Sequence, residues 1–218
     1  MTVLEFAIVA FTSLFTMIDP LGAIPIYATI TEDLDNQTSK KIAFKASFTA
    51  FFILVLFAFA GGLIFNFFHV SVNSLRVVGG VVFFKMGSDM LEANISRLKK
   101  PKKAMSEFES DIAITPLGIP LIAGPGSITV SMLLFKDANS IVLKGVFIST
   151  LLVVIILVYL SFIWSKKILN FIGPSATKVM LRIMGLIVMV IAVEFFFAGM
   201  KPIIQDILAI KGWSLLFN

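Results

Sequence analysis

The chain has 218 residues, of which 58% are hydrophobic and 14% charged, with a mean hydropathy of +1.01 and a formal net charge of +5. A soluble domain carries about 25% charged residues, so this composition excludes a soluble globular protein, and its hydrophobicity excludes an intrinsically disordered one. The chain has no cysteine and one histidine, His69, which excludes disulfides, thiol chemistry and metal clusters built on histidine or cysteine.

Six apolar blocks follow one another, each near the length of a bilayer-spanning helix. They cover residues 3–30, 42–68, 75–91, 112–135, 141–164 and 179–200. The connections between them are too short to form folded domains outside the membrane. We therefore predict an all-α integral membrane protein with six transmembrane spans, forming a single polytopic domain over residues 1–218.

The basic residues predict the orientation of the spans. The first, third and fifth connections carry eleven lysines and arginines, whereas the opposite side carries five. An excess of positive charge marks the cytoplasmic side of a membrane, and this also explains the net charge without nucleic-acid binding. We expect a multi-pass protein of the cell (inner) membrane with both termini outside the cytoplasm.

Two sequence signals indicate an internal repeat. The segment LRVVG at 75–79 opens the third span, and LRIMG at 181–185 opens the sixth, 106 residues later. Pro20 and Pro125, each close to glycine, are 105 residues apart in the first and fourth spans. Because three spans form each half, the second half must be inserted upside down. We predict an inverted 3+3 repeat, with repeat 1 at about 1–95, a basic cytoplasmic connection at about 96–110 and repeat 2 at about 111–205.

The first and fourth spans contain prolines and glycines that predict broken or re-entrant helices. Backbone groups freed inside lipid need partners, and breaks at matching places in two halves are a sequence pointer to a transport site. Asp19 followed by Pro20 is typical of the start of a half-helix, whose free N–H groups would attract a substrate carboxylate. A simpler interpretation is that the breaks are only kinks, with Asp19 and Ser127 as caps. The predicted substrate-binding residues are Asp19, Pro20, Gly22, Ala23, Ile24, Gly124, Pro125, Gly126, Ser127 and Thr129.

Charged residues inside the spans form a second set of candidates, because a charge at bilayer depth costs at least about 2.5–3.5 kcal/mol. Lys85 and Asp89 are four residues apart on one helix face, so they either neutralise each other or bind a coupling ion. The repeat places Arg76 with Glu194 near the outer face, and Arg182 with Asp89 near the inner one. We predict ion-coupling or gating roles for these five residues; the alternative is that both arginines only snorkel to the interface.

Two long motifs, IDPLGAIP at 18–25 and PLIAGPGSIT at 120–129, resemble the MarC family. This family of six-span proteins is also called the neutral amino acid transporter family, and it lies within a wider group of LysE-like exporters. The Arg-x-x-Gly starts of the third and sixth spans fit as well, so the resemblance covers almost the whole chain. It implies transport of small neutral amino acids such as glycine and alanine. Many family members have asparagine at the position of Asp19, so the aspartate adds a titratable group here.

The sequence therefore predicts a secondary active transporter of small neutral amino acids that works by alternating access. We expect coupling to a proton or sodium ion, since no phosphate-binding loop is present, with no cofactor, no metal and no enzymatic activity. The expected partners are the amino acid, the coupling ion and the lipid bilayer, with no nucleic acid; homo-oligomerisation is left open. The alternatives are an exporter of another small metabolite or drug, an intramembrane enzyme and a structural or sensory protein. Uptake and export are both compatible with the sequence.

Overall fold

The computed structural model of the protein describes residues 2–32, 34–92 and 111–210, and these residues form helices joined by short turns. The predicted basic connection at about 96–110 lies outside the described residues. The helices are α1 (Val3–Ile18), α2 (Ala23–Ile30), α3 (Asn36–Phe67), α4 (Val72–Leu91), α5 (Ala113–Ile122), α6 (Pro125–Asp137), α7 (Ile141–Ile172) and α8 (Pro174–Ile210).

The length and hydropathy of the helices confirm an integral membrane protein. Among the described residues, α3, α7 and α8 each contain a stretch long and apolar enough to cross a bilayer. The pairs α1–α2 and α5–α6 pass the same test together, and they bend by 44° and 59° at their breaks. This gives up to five spans. The predicted third span does form a helix, α4, but its 20 residues carry three charges, so the count of six spans stays a prediction.

Several helices extend beyond the apolar blocks, and at the start of α3 the cause is a polar capping residue. α3 begins at Asn36, six residues before the predicted span, since the Asp35 carboxylate accepts the N–H groups of Gln37 (2.7 Å) and Thr38 (2.8 Å). α7 continues through Lys166, which the sequence had placed in a connection. Before α8 the chain turns at Gly173, whose φ of +85° is a conformation that glycine adopts without steric cost.

The long helices α3 and α7 form the centre of the protein. They pack against each other, and each also holds the bent pair from the other half of the chain: α5 and α6 pack on α3, whereas α1 and α2 pack on α7. Small buried residues along α3, including Ala43, Ala46 and Ala50, allow these helices to approach closely. Large side chains such as Phe44, Phe48 and Phe52 point outward from α3, as expected for a surface in contact with lipid.

α4 and α8 form an antiparallel pair with backbones in close contact. A Cβ added at Gly87 would lie 2.6 Å from the Gly185 carbonyl oxygen, and one added at Gly185 would lie 2.7 Å from the Gly87 carbonyl oxygen. At the other end of the pair, Gly199 lies against the backbone of Asn73 and Val77. Since side chains larger than hydrogen would separate the helices, these glycines determine how closely the pair packs.

Candidate functional site

The first break, between α1 and α2, is organised by Asp19. This residue takes the left-handed conformation (φ 46°, ψ 70°) and ends α1 by donating its N–H to the Phe15 carbonyl at 3.0 Å. Aspartate tolerates this conformation because its short side chain forms local hydrogen bonds, and here its carboxylate accepts the Gly22 N–H at 3.0 Å. The predicted helix start at Pro20 is therefore wrong, since α2 begins three residues later, at Ala23.

The three amides predicted to hold a substrate carboxylate at the first break already have acceptors within the chain. Gly22 donates to the Asp19 carboxylate, Ala23 donates to the Asp19 carbonyl (3.2 Å), and Ile24 donates to the Leu21 carbonyl (3.2 Å). A Cβ at Gly22 would overlap the Asp19 carboxylate, so glycine allows this side chain to fold back. In this conformation the first break is closed by its own hydrogen bonds, and a binding role for these residues stays a prediction.

The second break lies between α5 and α6. α5 is wound more widely than an α-helix, and the backbone at Thr115 and Ile119 is extended. Each of these residues precedes a proline, which disfavours the helical conformation of the residue before it. Gly124 then serves as the N-cap of α6 and Pro125 as its first residue, where the missing N–H of proline costs nothing. The predicted break in the fourth span is confirmed.

Ser127 joins the two sides of the second break. Its buried hydroxyl lies 2.7 Å from the Ile122 carbonyl oxygen and 3.0 Å from that of Gly124, so it can donate to either. The first backbone hydrogen bond at this end of α6 runs from the Ile128 N–H to the Gly124 carbonyl at 2.9 Å. The preceding N–H groups, of Gly126 and Ser127, have no acceptor within the described part of the chain. The second break therefore offers two backbone donors that the first break does not.

Three buried hydroxyls near this region have no hydrogen-bond partner among the described residues. They belong to Thr129 and Ser131 on α6 and to Ser47 on α3. An unsatisfied buried polar group costs about 1–3 kcal/mol, so such groups are candidates for ligand contacts. Thr129 was predicted as a site residue, whereas Ser47 and Ser131 were not. The signal for Ser131 was its spacing, one helical turn after Ser127; Ser47 has no comparable signal.

The structure places the two breaks beside each other. A Cβ added at Gly126 would lie 2.5 Å from Phe195 Cζ on α8 and 3.2 Å from the Sδ of Met17, which is two residues before the first break. Pro125 packs directly against Gly79 on α4, so that a Cβ there would overlap its ring. The start of α6 is thus enclosed by α1, α4 and α8, with all of residues 124–129 buried.

The predicted gating residues lie on the antiparallel pair α4 and α8. Arg76 and Glu194 lie toward one end of this pair, and Asp89 and Arg182 toward the other. Among the described residues no ion pair joins any two of these residues, nor Lys85 to Asp89, so their coupling or gating roles stay predictions. No group of three or more histidine, aspartate or glutamate side chains in the described ranges is placed to hold a metal ion.

Comparison with known proteins identifies the family. The profile described as "MarC family integral membrane protein" matches residues 4–204. A UPF0056 membrane protein of Archaeoglobus fulgidus is 35% identical over 198 residues, covering 90% of this chain and 93% of the relative. The UPF0056 membrane protein YvbG of Bacillus subtilis is 36% identical over 200 residues, covering 90% and 95%. No solved structure matches the chain. The resemblance seen in the two break motifs is confirmed, and the chain belongs to the MarC family of integral membrane proteins.

Proposed function

We propose that this protein is a secondary active transporter of small neutral amino acids, of the glycine and alanine class, in the cell membrane. The observation that carries the proposal is the meeting of two bent helix pairs, with Met17 before the first break packed on Gly126 in the second. Irregular backbone at membrane depth is tolerated where protein encloses it or where it lines a cavity. In transporters it supplies the groups that bind the solute.

The helix boundaries support an inverted repeat as the basis of alternating access. α3 and α7 both have 32 residues, and each boundary of α7 lies 105 residues after that of α3. Their capping residues keep the same spacing: Asp35 accepts the Thr38 N–H (2.8 Å), and Ser140 accepts the Leu143 N–H (3.2 Å). The exchange of bent pairs between α3 and α7 is the packing that two inverted halves would produce.

The second break is where the substrate carboxylate would bind in this conformation. The unpartnered N–H groups of Gly126 and Ser127 lie at the amino end of α6, where the helix dipole also favours an anion. The buried Thr129 hydroxyl, two residues further on, would accept a hydrogen bond from the ammonium group. Because a Cβ at Gly126 would lie 2.5 Å from Phe195 Cζ, the Phe195 side chain would have to move aside to admit the substrate. The glycine and alanine class comes from the resemblance to the family.

In the opposite conformation of the alternating-access cycle, the first break would bind the substrate. If the Asp19 carboxylate released the Gly22 N–H, this amide at the amino end of α2 would become a free donor. Asp19 would then be available to the substrate ammonium or to a coupling proton or sodium ion. The charges on α4 and α8 would close the two ends of the pathway in alternation. In this proposal the protein is a carrier and not an enzyme, with both termini outside the cytoplasm.

Counterflow of labelled alanine tests the proposal whatever the coupling ion and whatever the direction of transport. The purified protein is placed in vesicles loaded with unlabelled alanine, beside protein-free vesicles. We expect saturable accumulation of label that glycine and serine suppress. Protein that is shown to be folded and inserted but gives no accumulation would contradict the amino-acid substrate and favour the exporter of another small metabolite.

A further inference from the structure

We propose that Lys166 closes a latch at one end of the protein, where the first connection of the chain is fastened to α7. The latch consists of Tyr27 on α2, Leu34 in the connection, and Phe162 and Lys166 on α7. We infer that breaking the Lys166 hydrogen bond releases this end and opens the protein on that side. The effect on transport rests on the proposed function, whereas the latch itself is tested below without it.

The central contact of the latch is a hydrogen bond between distant parts of the chain. Lys166 Nζ donates to the Leu34 carbonyl oxygen at 2.6 Å, across 132 residues of sequence. A hydrogen bond from a charged donor is stronger than a neutral one. It also gives the Leu34 carbonyl a hydrogen-bond donor that no helix provides, because Leu34 lies in the connection between α2 and α3. A lysine that the sequence indicated only as an orientation signal therefore has a specific acceptor.

A second contact lies one turn earlier on α7. The Phe162 ring stacks on the Tyr27 ring, with centroids 4.3 Å apart and planes within 6° of each other. Both rings are about 1% exposed. Because residues four apart share one face of a helix, the face of α7 that holds the Leu34 carbonyl also holds Tyr27. Rotation of this face away from α2 would break both contacts together.

The latch also includes the start of α3. The Tyr27 hydroxyl donates to the Ser39 carbonyl at 2.6 Å, and the Ser39 hydroxyl donates to the Asp35 carbonyl at 2.8 Å. These bonds tie α2 and the beginning of α3 into one unit. The unit packs on α7 through both α2 and α3, and the Lys166 hydrogen bond adds a polar contact that can be broken and remade.

Among the residues that the structure describes, the opposite end of the protein has no such bond at the corresponding place. On the 105-residue spacing, the counterpart of Lys166 is Gly61 and the counterpart of Tyr27 is Met132. These two residues are in contact, since a Cβ at Gly61 would lie 2.7 Å from Met132 Sδ. One end is thus held partly by a polar bond that can exchange for water, and the other by apolar packing. This difference between the two ends favours the conformation in which the latch is closed.

The reactivity of a thiol buried behind the latch can be used to measure how readily the latch opens. The chain has no cysteine, so Ala43→Cys introduces a single reactive group, one turn beyond Ser39 on the same face of α3 and 0% exposed. We expect Lys166→Met, which keeps the aliphatic stem but removes the donor, to raise the rate of modification by a charged methanethiosulfonate reagent about tenfold. An unchanged rate would overturn the proposal.

Three controls separate the latch from general loosening. Lys167→Met removes the neighbouring lysine and should leave the rate unchanged, and Lys166→Arg, which keeps a charged donor, should restore slow modification. A thiol at Ala58, also buried on α3 but toward its other end, should stay slow when combined with Lys166→Met. Faster modification at both thiols would show a loosened fold and would also overturn the proposal.

Alanine counterflow by the same variants then tests the link to transport. We expect Lys166→Met to change the counterflow rate and Lys167→Met to leave it unchanged. A parent protein without counterflow would refute the proposed function, while the modification rates would still decide the latch. Faster thiol modification with unchanged counterflow would refute the role of the latch in transport.

Discussion

Met17 in the last turn of α1 lies against Gly126 in the first turn of α6. The two breaks in the chain therefore meet where the Met17 side chain packs on this glycine. The Phe195 ring closes the same space from α8. A methyl group at position 126 would have to displace these side chains, at a cost of about 1–3 kcal/mol for overpacking.

The first prediction concerns Gly126→Ala. We expect this change to lower the rate of alanine counterflow about tenfold or more, because the added methyl group moves α6 away from α1 at the proposed binding amides. Gly145→Ala is the matched control: it lies within α7, and an added Cβ there has no atom within 4 Å. The control should transport normally and be more stable by about 0.5–1 kcal/mol. Normal transport by Gly126→Ala would argue against a site at this break.

The second prediction concerns the glycine contact between α4 and α8. Gly87→Ala places a methyl group 2.6 Å from the Gly185 carbonyl oxygen, and backbone cannot move aside as a flexible side chain can. We expect a loss of about 1–3 kcal/mol, measured as a lower temperature of thermal unfolding in detergent. Gly62→Ala, with no atom near its added Cβ, should not lower this temperature. An unaffected Gly87→Ala variant would show that the pair is not held by backbone contact.

The third prediction separates the two roles of Asp19. An asparagine side chain would keep an acceptor for the Gly22 N–H and tolerance for a positive φ, so Asp19→Asn should leave the unfolding temperature nearly unchanged. Asp19→Ala loses the acceptor and should cost about 1–2 kcal/mol. If Asp19 also takes part in ion coupling, Asp19→Asn should lower transport driven by an ion gradient more than it lowers counterflow. Equal transport in both assays would limit Asp19 to its structural role.

The fourth prediction concerns the acid stability of the first connection. Hydrogen bonds from Thr38 hold the pKa of the Asp35 carboxyl below its ordinary value. The Gln37 N–H and the positive charge of Lys166 lower this pKa to a smaller extent. The stabilisation is therefore complete above the ordinary pKa, about 3.9, and is lost as the pH falls through the lower folded-state pKa. We expect the unfolding temperature of Asp35→Asn to vary less than that of the parent between about pH 5 and an acid limit of about pH 2. Parallel curves for the two proteins would contradict this assignment.

Much of the fold follows from local sequence rules. The prolines at 20 and 125 predicted both bent pairs, since a proline breaks a helix wherever it lies inside one. The ends of α3 and α7 were missed because hydropathy follows the apolar residues, whereas capping by Asp35 extends a helix into polar sequence. The conformation of Asp19 was also missed. An Asp-Pro pair is compatible with a helix start or with a turn that ends the preceding helix, and the surrounding packing decides between them.

Contacts between distant residues could not be predicted from the sequence. The stacking of Tyr27 on Phe162 and the bond from Lys166 to Leu34 join residues more than 130 positions apart. A lysine at the end of an apolar block is expected at a membrane boundary in any case, so nothing in the sequence marks this one as a latch. The unpartnered hydroxyls of Ser47 and Ser131 depend in the same way on which helices bury them.

Competition by an alanine analogue tests the central claim most directly. Labelled-alanine counterflow is measured with increasing unlabelled alanine or alaninamide, which keeps the ammonium and methyl groups but has no carboxylate. If the amides of Gly126 and Ser127 bind the carboxylate, alanine will suppress the accumulation of label and alaninamide at the same concentration will not. Equal suppression by both compounds, or no counterflow by folded and inserted protein, would contradict the proposed site.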